Sequence, residues 1–256
     1  MKARVFLGAF AALLFACLPL TAEETLDDFL VFHAPFDGSV APTVAEGETA
    51  AYPLRKAAFV PGIFGQALKC GIGGTGVNYM AKDNLDFDNP GTVTLWFKID
   101  CACGTQGPAI GFWGTGNSAE KGMVSLTVLN DPMKQCPCMR QIGFMLISQR
   151  RKTKSYSVFG GKGDNRICTG WHLLSGAWSG GKLYVSLDGQ PYCSFEPDKP
   201  LSNAEFEYCR KFGVGSALDR WEYAIDDLRI FSKRLSDQEI QSIYNTGTRL
   251  LNKKEK

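Results

Sequence analysis

Short apolar stretches with a period of two recur along nearly the whole chain, and this pattern restricts the fold more than any other feature. From Phe29 onward the stretches alternate apolar with polar residues, and Gly, Pro, Asp and Asn separate them. Such alternation is typical of β-strands, because successive side chains point to opposite faces of a sheet. Many short strands with almost no helix between them favour a sandwich of two sheets over βαβ units.

The predicted strands are Phe29–Ala34, Gln66–Cys70, Val77–Ala81, Thr92–Ile99, Ala109–Trp113, Met123–Leu129, Gln141–Ser148, Tyr156–Phe159, Trp171–Trp178, Leu183–Leu187, Pro191–Phe195, Lys211–Val214 and Ala224–Phe231. In the last of these the apolar residues do not alternate cleanly, which indicates burial on both faces or a bulge.

Two local motifs are more specific than this periodicity. Asp188-Gly189 stands between two alternating runs, and both residues tolerate the positive φ of a type I′ turn, so this segment is predicted to be a β-hairpin. Ser236 and Glu239 form a capping box, which marks the start of a helix. An apolar stripe follows: Ile240, Ile243 and Tyr244. We expect a short helix of two to three turns that stops near Gly247.

The first 22 residues are typical of an export signal. Lys2 and Arg4 precede the uncharged apolar run Val5–Leu20, and Ala22 offers a small residue for cleavage. The run is short for a membrane-spanning helix, which needs roughly 20 residues. We therefore expect a signal peptide over residues 1–22, a single mature domain over 23–256 without a membrane span, and a secreted, periplasmic or cell-surface location.

An alternative processing route involves Cys17. Residues 14–17 resemble the lipobox of bacterial lipoproteins, although Phe15 departs from the small residue usual there, so a lipid anchor at Cys17 is the alternative. Loss of the signal would remove two basic residues from a chain of net charge +2 and leave the mature domain formally neutral. This balance argues against nucleic acid as a partner.

The cysteines predict a disulfide framework. Eight remain after the signal is removed, an even number that suits an oxidising compartment. Two C-x-C pairs could instead form a zinc site, but structural zinc usually takes C-x2-4-C spacing. The disulfide candidates are Cys70, Cys101, Cys103, Cys136, Cys138, Cys168, Cys193 and Cys209. Their pairing stays open, with a bridge between the two C-x-C pairs as the preferred arrangement.

Taken in order, five segments of the chain resemble the laminin-G-like jelly roll of the concanavalin A-like lectin/glucanase superfamily. They are Phe32–Gly38, Phe64–Leu68, Gly91–Lys98, Trp171–Gly189 and Ala224–Ile240. The resemblance implies an all-β fold, a two-sheet antiparallel jelly-roll sandwich with one short C-terminal helix, in which the first and last strands are neighbours. Such domains commonly bind glycans or proteins outside the cell.

The resemblance also implies a calcium site. In such jelly rolls an ion often lies where the Asp of the first turn meets acidic residues of the closing strand. Asp37 and Asp226 are the matching positions, and Asp227 is adjacent. Backbone carbonyls and water would have to complete the six to eight oxygens that calcium requires. The alternative is structural: Asp37 caps a turn, and Asp226 or Asp227 pairs with Arg229 or Arg220.

Catalytic motifs are not evident. The alternating acidic triplet of the superfamily's glucanases does not occur, nor does a G-x-S-x-G, H-E-x-x-H or phosphate-binding motif. His172 lies in a predicted strand and is expected to be a partly buried, hydrogen-bonded residue rather than a base. An enzyme, either a glycan-active hydrolase or a lyase, stays only as an alternative.

Ligand-binding candidates are aromatic residues next to loop signals, because exposed rings can stack on sugars and binding residues concentrate in loops. Trp113, Trp221 and Tyr223 meet this criterion, whereas Trp96, Trp171 and Trp178 are expected in the core.

The basic run 150–154 is predicted to be a solvated hairpin tip, and binding of an acidic polysaccharide is the alternative. The sequence thus predicts an exported, non-catalytic module that recognises carbohydrate or a surface protein. A structural or adhesion domain of the cell envelope is the main alternative.

Overall fold

A computed structural model describes residues 24–99, 110–118, 122–130, 140–147, 156–160, 170–197, 201–206, 210–217 and 222–254. The predicted signal segment with Cys17 and the basic run 150–154 lie outside these residues. In the described part of the chain no helix combines the length and the apolar character needed to cross a membrane.

The described residues form sixteen strands and one α-helix. The strands are β1 Leu30–Ala34, β2 Val44–Ala45, β3 Ala51–Pro53, β4 Phe59–Pro61, β5 Gln66–Gly71, β6 Val77–Met80, β7 Gly91–Ile99, β8 Ile110–Ser118, β9 Gly122–Asn130, β10 Arg140–Ile147, β11 Tyr156–Gly160, β12 Trp171–Ser179, β13 Lys182–Leu187, β14 Cys193–Phe195, β15 Lys211–Val214 and β16 Glu222–Phe231. The helix α1 spans Asp237–Lys254, and two 3-10 turns occupy Leu26–Phe29 and Asn203–Phe206.

The strands form two sheets in which all described pairs are antiparallel. Sheet A has the order β14-β13-β12-β7-β16-β1-β2, with β5 paired to β16 and β4 to β5. Sheet B has the order β11-β10-β9-β8-β15-β6-β3. The predicted all-β sandwich is confirmed, and the first strand does pair with the last, with Ala34 opposite Leu228.

The closing strand β16 is both buried and bulged. Nine of its ten residues are buried or partly buried, and its register with β7 shifts between Asp226 and Arg229. Asp227 has φ +52°, a left-handed conformation that non-glycine residues adopt only at some cost. Ile225 and Leu228 both face the core between the sheets. Two residues rather than one therefore lie between these inward-facing side chains, and the bulge accommodates the extra one.

Apolar side chains from the two sheets fill the space between them. Phe32 of β1 makes edge-to-face ring contacts with Tyr79 of β6 and Phe212 of β15, at centroid distances of 4.9 and 5.1 Å. All three rings are fully buried. These contacts join the two sheets, because β1 belongs to sheet A while β6 and β15 belong to sheet B.

The helix α1 covers the outer face of sheet A. Ile240 and Ile243 pack with Trp96 and Leu173 in a second apolar cluster, separate from the core between the sheets. The capping box is confirmed, since the Ser236 N–H donates to Glu239 at 2.7 Å and the Glu239 N–H donates to the Ser236 hydroxyl at 3.3 Å.

The predicted length of this helix is wrong. The helix has 18 residues and continues through Gly247 to Lys254. A Cβ on Gly247 would lie 2.3 Å from Cζ2 of Trp96. The glycine therefore permits close contact between the helix and the sheet and does not end the helix.

The predicted type I′ turn is confirmed. Asp188 and Gly189 have φ +54° and +69°, and the Gln190 N–H donates to the Leu187 carbonyl at 3.0 Å. The returning strand β14 begins at Cys193, two residues later than expected.

The described residues contain no disulfide. Cys193 is an exposed free thiol, and the Cys70 thiol is buried and donates to the Leu68 carbonyl at 3.8 Å. Cys193 lies on β14 and Cys70 on β5, five strand spacings apart in sheet A, or about 24 Å. A disulfide needs Cα atoms within about 7 Å, so these two cannot bond to each other. The expectation that Cys193 joins a disulfide is corrected, while the other six candidates lie outside the described residues.

Candidate functional site

Asp226 is a buried carboxyl group in the middle of the closing strand. Its Oδ2 accepts hydrogen bonds from the backbone N–H groups of Ile63 and Phe64, at 2.7 and 3.1 Å. Its Oδ1 is also buried and has no hydrogen-bond partner among the described residues. Desolvation, reinforced by the neighbouring charge of Asp227, raises the pKa of Asp226 to about 7. An acid that holds one orphaned oxygen in the interior needs a proton or a cation there.

The loop that binds Asp226 also binds Asp37. The Gln66 N–H donates to Oδ1 of Asp37 at 3.1 Å. A Cβ on Gly62 would lie 2.5 Å from Oδ2 of Asp226, and a Cβ on Gly65 would lie 2.5 Å from Oδ1 of Asp37. One end of the segment 62–66 therefore contacts Asp226 and the other end contacts Asp37, and its glycines permit both approaches. The sequence predicts that Asp37 and Asp226 share one site. In the structure the two acids contact opposite ends of one short loop.

Asp227 takes the structural role that was the alternative. Its Oδ1 lies 2.8 Å from Nε2 of His33 and accepts from Nε of Arg229 at 3.1 Å, and its Oδ2 lies 3.1 Å from Nη2 of Arg229. Both carboxylate oxygens are thus engaged by basic side chains. Among the described residues no group of three or more His, Cys, Asp or Glu side chains could hold a metal. A cation at this position would depend on Asp226, Asp37, backbone carbonyls and water.

The predicted aromatic binding residues are not at the surface. Trp113 is 2% exposed and Tyr223 is 3% exposed, and both belong to the core between the sheets. A buried ring cannot stack on a ligand, so these two assignments are corrected. Trp221 lies outside the described residues, and its role stays a prediction. His172 is partly buried and its Nδ1 lies 2.8 Å from Asp188, as expected of a structural histidine.

A cavity of about 920 Å³ opens at one end of the sandwich and is here called the end groove. It lies between the sheets where β1, β7 and β12 begin or end. Ligand pockets typically have volumes of roughly 300–1,000 Å³, so its size suits a small ligand. Its lining comprises Val31, Glu46, residues 80–87, Asn89, Pro90, Thr115, Trp178, Asn203, Arg210 and residues 230–232.

One wall of the end groove is a loop held by its own amide and carboxylate groups. The side chain of Asp86 accepts from Nδ2 of Asn89 and Nδ2 of Asn203, both at 2.7 Å. The Asn203 Oδ1 accepts from the Phe87 N–H at 2.8 Å. Nε1 of Trp178 donates to the carbonyls of Asp86 and Asn89, at 2.9 and 2.8 Å. These bonds fix residues 86–90 against sheet A before any ligand arrives.

Four charged side chains on the rim of the end groove are left without such partners. Glu46, Lys82, Asp83 and Arg210 are all exposed. Within the described ranges, none of them takes part in an ion pair or a side-chain hydrogen bond. Two donors and two acceptors therefore surround one concave surface and are available to a ligand.

Sequence reasoning did not find the end groove. The run 83–90 contains three Asp, two Asn and a Pro, which marks it as a loop. Its meeting with Arg210 depends on the pairing of β6 with β15 within sheet B, where Met80 lies opposite Lys211. Its meeting with Glu46 depends on a contact distant in sequence, since the Gly47 N–H donates to Oδ1 of Asn84. The loop signal could have been read from the sequence, but its neighbours could not.

The chain was compared with protein families, curated proteins and solved structures. A family model described as concanavalin A-like lectin/glucanases superfamily matches residues 73–241. No curated protein matches the chain by sequence.

Among solved structures, the chain is similar to the receptor-binding domain of a botulinum neurotoxin C/D mosaic serotype, with a TM-score of 0.65, 15% identity, and coverage of 86% of this chain and 52% of that one. It is also similar to the binding domain of Paraclostridial Mosquitocidal Protein 1, with a TM-score of 0.66, 11% identity, and coverage of 87% and 53%. The binding domain of botulinum neurotoxin DC, solved in complex with rat synaptotagmin II, gives a TM-score of 0.67, 11% identity, and coverage of 87% and 52%. The chain spans about half the length of these structures, and at such identities the likeness shows the fold alone.

Proposed function

Since this chain belongs to the concanavalin A-like lectin/glucanase superfamily, we propose that it is an exported, non-catalytic binding module that recognises carbohydrate or a surface protein. The observation that carries the proposal is the end groove, where a fixed loop and four charged side chains without partners surround one concavity. The fold by itself does not identify a function, because the same sandwich serves many. The groove is a site-level reason, in addition to the fold, to propose a binding function.

The chemistry of the groove supports binding in preference to a reaction. Its loop wall is fixed by internal hydrogen bonds, and preorganisation of this kind reduces the ordering cost of binding. The carboxylate of Asp86 accepts from two amide side chains and from the Asp88 N–H at 2.9 Å. It is therefore engaged in structure, and the rim side chains are the groups left to contact a ligand.

A glycan array probed with the mature chain tests this proposal. We expect retention on at least one glycan class, and loss of that retention in the double variant Lys82→Gln/Arg210→Gln. The matched control Lys56→Gln/Arg249→Gln removes the same charge from exposed positions elsewhere and should bind normally. Release of new reducing ends or unsaturated products from a bound glycan would contradict the non-catalytic assignment, and full retention of the double variant would contradict the groove.

We further propose that binding is calcium-assisted through the Asp226 site. The orphaned Oδ1 of Asp226 is an oxygen ligand of the kind that calcium prefers, and Asp37 binds the other end of the same loop. A bound ion would compensate the buried charge of Asp226 and join the turn after β1, the β4–β5 loop and β16. Since a ligand that binds only the native state stabilises it, calcium at about 100 times its Kd should add about 2.7 kcal/mol.

Thermal unfolding with calcium, magnesium or chelator measures this effect. We expect calcium to raise the Tm of the wild type and to leave the Tm of Asp226→Asn unchanged. An equal response of both proteins would show that the ion binds elsewhere.

Export is proposed from the N-terminal pattern described above. N-terminal sequencing of the protein recovered outside the cytoplasm should give Glu23 as the first residue. A mature chain that begins at a lipid-modified Cys17 would support the lipoprotein alternative. Recovery of the chain with its first 22 residues intact would contradict both.

A further inference from the structure

The charges on the rim of the end groove nearly balance. Glu46, Asp83 and Asp86 contribute three carboxylates, while Lys82 and Arg210 contribute two cations. An anionic ligand would meet the two cations but would be repelled by Glu46 and Asp83. A basic peptide would meet the opposite difficulty. Neither sign of charge is therefore favoured by the groove as a whole.

The available groups instead suit a ligand that donates and accepts hydrogen bonds at many points. Carboxylates only accept, and ammonium and guanidinium groups only donate. A sugar hydroxyl does both, so the hydroxyls of one oligosaccharide can satisfy both kinds of rim side chain. Hydrogen bonds that involve one charged partner are stronger than neutral ones.

The bottom of the groove is apolar and rigid. Phe87 and Trp178 form an edge-to-face pair with centroids 5.1 Å apart. The indole is fixed by its two hydrogen bonds to the loop carbonyls. Val31 and Ile230 extend this floor toward sheet A. These buried side chains give the groove a rigid base, so the exposed side chains of the rim are the groups that a ligand would contact.

We propose that the end groove binds a neutral oligosaccharide, whose hydroxyls donate to Glu46 and Asp83 and accept from Lys82 and Arg210. This inference rests on the proposed function and narrows it to one ligand class. A protein ligand is the less favoured occupant, because a single concavity of about 920 Å³ has the size of a small-ligand pocket and not the shape of an extended protein interface.

Isothermal titration calorimetry with defined oligosaccharides tests the ligand class. The probes are neutral gluco-, manno-, galacto- and xylo-tetrasaccharides, an oligogalacturonate and a heparin-derived tetrasaccharide. We expect at least one neutral probe to bind at least tenfold more tightly than either anionic probe. Its Kd should change less than twofold between low and high salt, since no net charge is neutralised. Binding of the anionic probes alone, or a steep salt dependence, would overturn the proposal.

Two conservative variants locate the ligand in the groove. Asp83→Asn keeps a side chain that tolerates the φ of +63° at this position, and Arg210→Gln keeps much of the side-chain length. Each should weaken the neutral probe at least tenfold. The matched controls Asp27→Asn and Lys56→Gln, both at exposed positions away from the groove, should leave the Kd unchanged. Unchanged Tm values in all four variants establish that the fold is intact.

The outcomes separate this inference from the proposed function. A neutral probe that binds the wild type and the groove variants equally overturns the groove as its site and leaves a binding module. A protein ligand that depends on Asp83 and Arg210, with no oligosaccharide bound, overturns the ligand class alone. Absence of binding to every probe and to the full glycan array overturns both proposals.

Discussion

The buried carboxyl group of Asp226 gives the sharpest prediction about stability. Its pKa in the folded state is about 7, against 3.8 for a free Asp side chain. Between these values the native state holds a proton that the unfolded state has released. The free energy of unfolding therefore falls as pH rises from about 4 to about 7, and above that it stays low. The full difference of about 3 pKa units corresponds to about 4 kcal/mol.

Urea denaturation of the wild type and Asp226→Asn in chelator measures this contribution. Between pH 5 and pH 8, the stability of the wild type relative to the variant should fall by about 2–3 kcal/mol, the share of the total lost in that interval. The constant cost of the amide cancels, because only the change with pH is compared. Saturating calcium at pH 8 should restore the wild type, since a cation compensates the buried charge. A difference between the two proteins that stays constant with pH would refute the assignment of a raised pKa to Asp226.

Three further predictions concern the helix and the cysteines. Gly247→Ala should lower the free energy of unfolding by about 1–2 kcal/mol through collision with Trp96, although helix propensity alone would raise it. The control Thr246→Ala, at an exposed neighbouring position, should not lower the free energy of unfolding. If Gly247→Ala stabilised the protein, the helix would not be in close contact with the sheet. Ser236→Ala should cost about 1 kcal/mol in chemical denaturation through loss of the N-cap, and an unchanged midpoint would show that the cap is not formed. Cys193 should react with iodoacetamide in the native protein, and mass spectrometry would detect the adduct. If Cys193 reacted only after a reductant was added, it would be in a disulfide.

The strands could be predicted from the sequence because their signal is local. Each of the predicted strands has an observed counterpart, whereas β2, β3 and β4 were missed. These three contain only two or three residues each, and two of them end in Pro. A segment that short has no room for a period of two. Its place in the sheet is decided by the strand with which it pairs, as β4 pairs with β5.

Trp113 shows why the binding residues could not be predicted in the same way. The glycines around it suggested a loop, but they lie inside β8. A Cβ on Gly114 would lie 2.5 Å from the Val124 carbonyl of the neighbouring strand. This glycine therefore permits close pairing of β8 with β9, and Trp113 lies in the same strand with its indole in the core. Glycine in a strand and glycine in a loop look alike until the partner strand is known.

The proposed ligand site and the proposed cation site lie at different parts of the closing strand. Asp226 lies opposite Trp96 in the β7 ladder, whereas Ile230, on the floor of the end groove, lies opposite Val93. Four residues of strand separate them by about 13 Å. The groove wall is held by the hydrogen bonds of Asp86, Asn203 and Trp178, none of which involves the loop at Asp226. Among the described residues no hydrogen bond joins the two sites, and each has its own supporting loop, so a cation at Asp226 would act by stabilising the sandwich and not by touching the ligand.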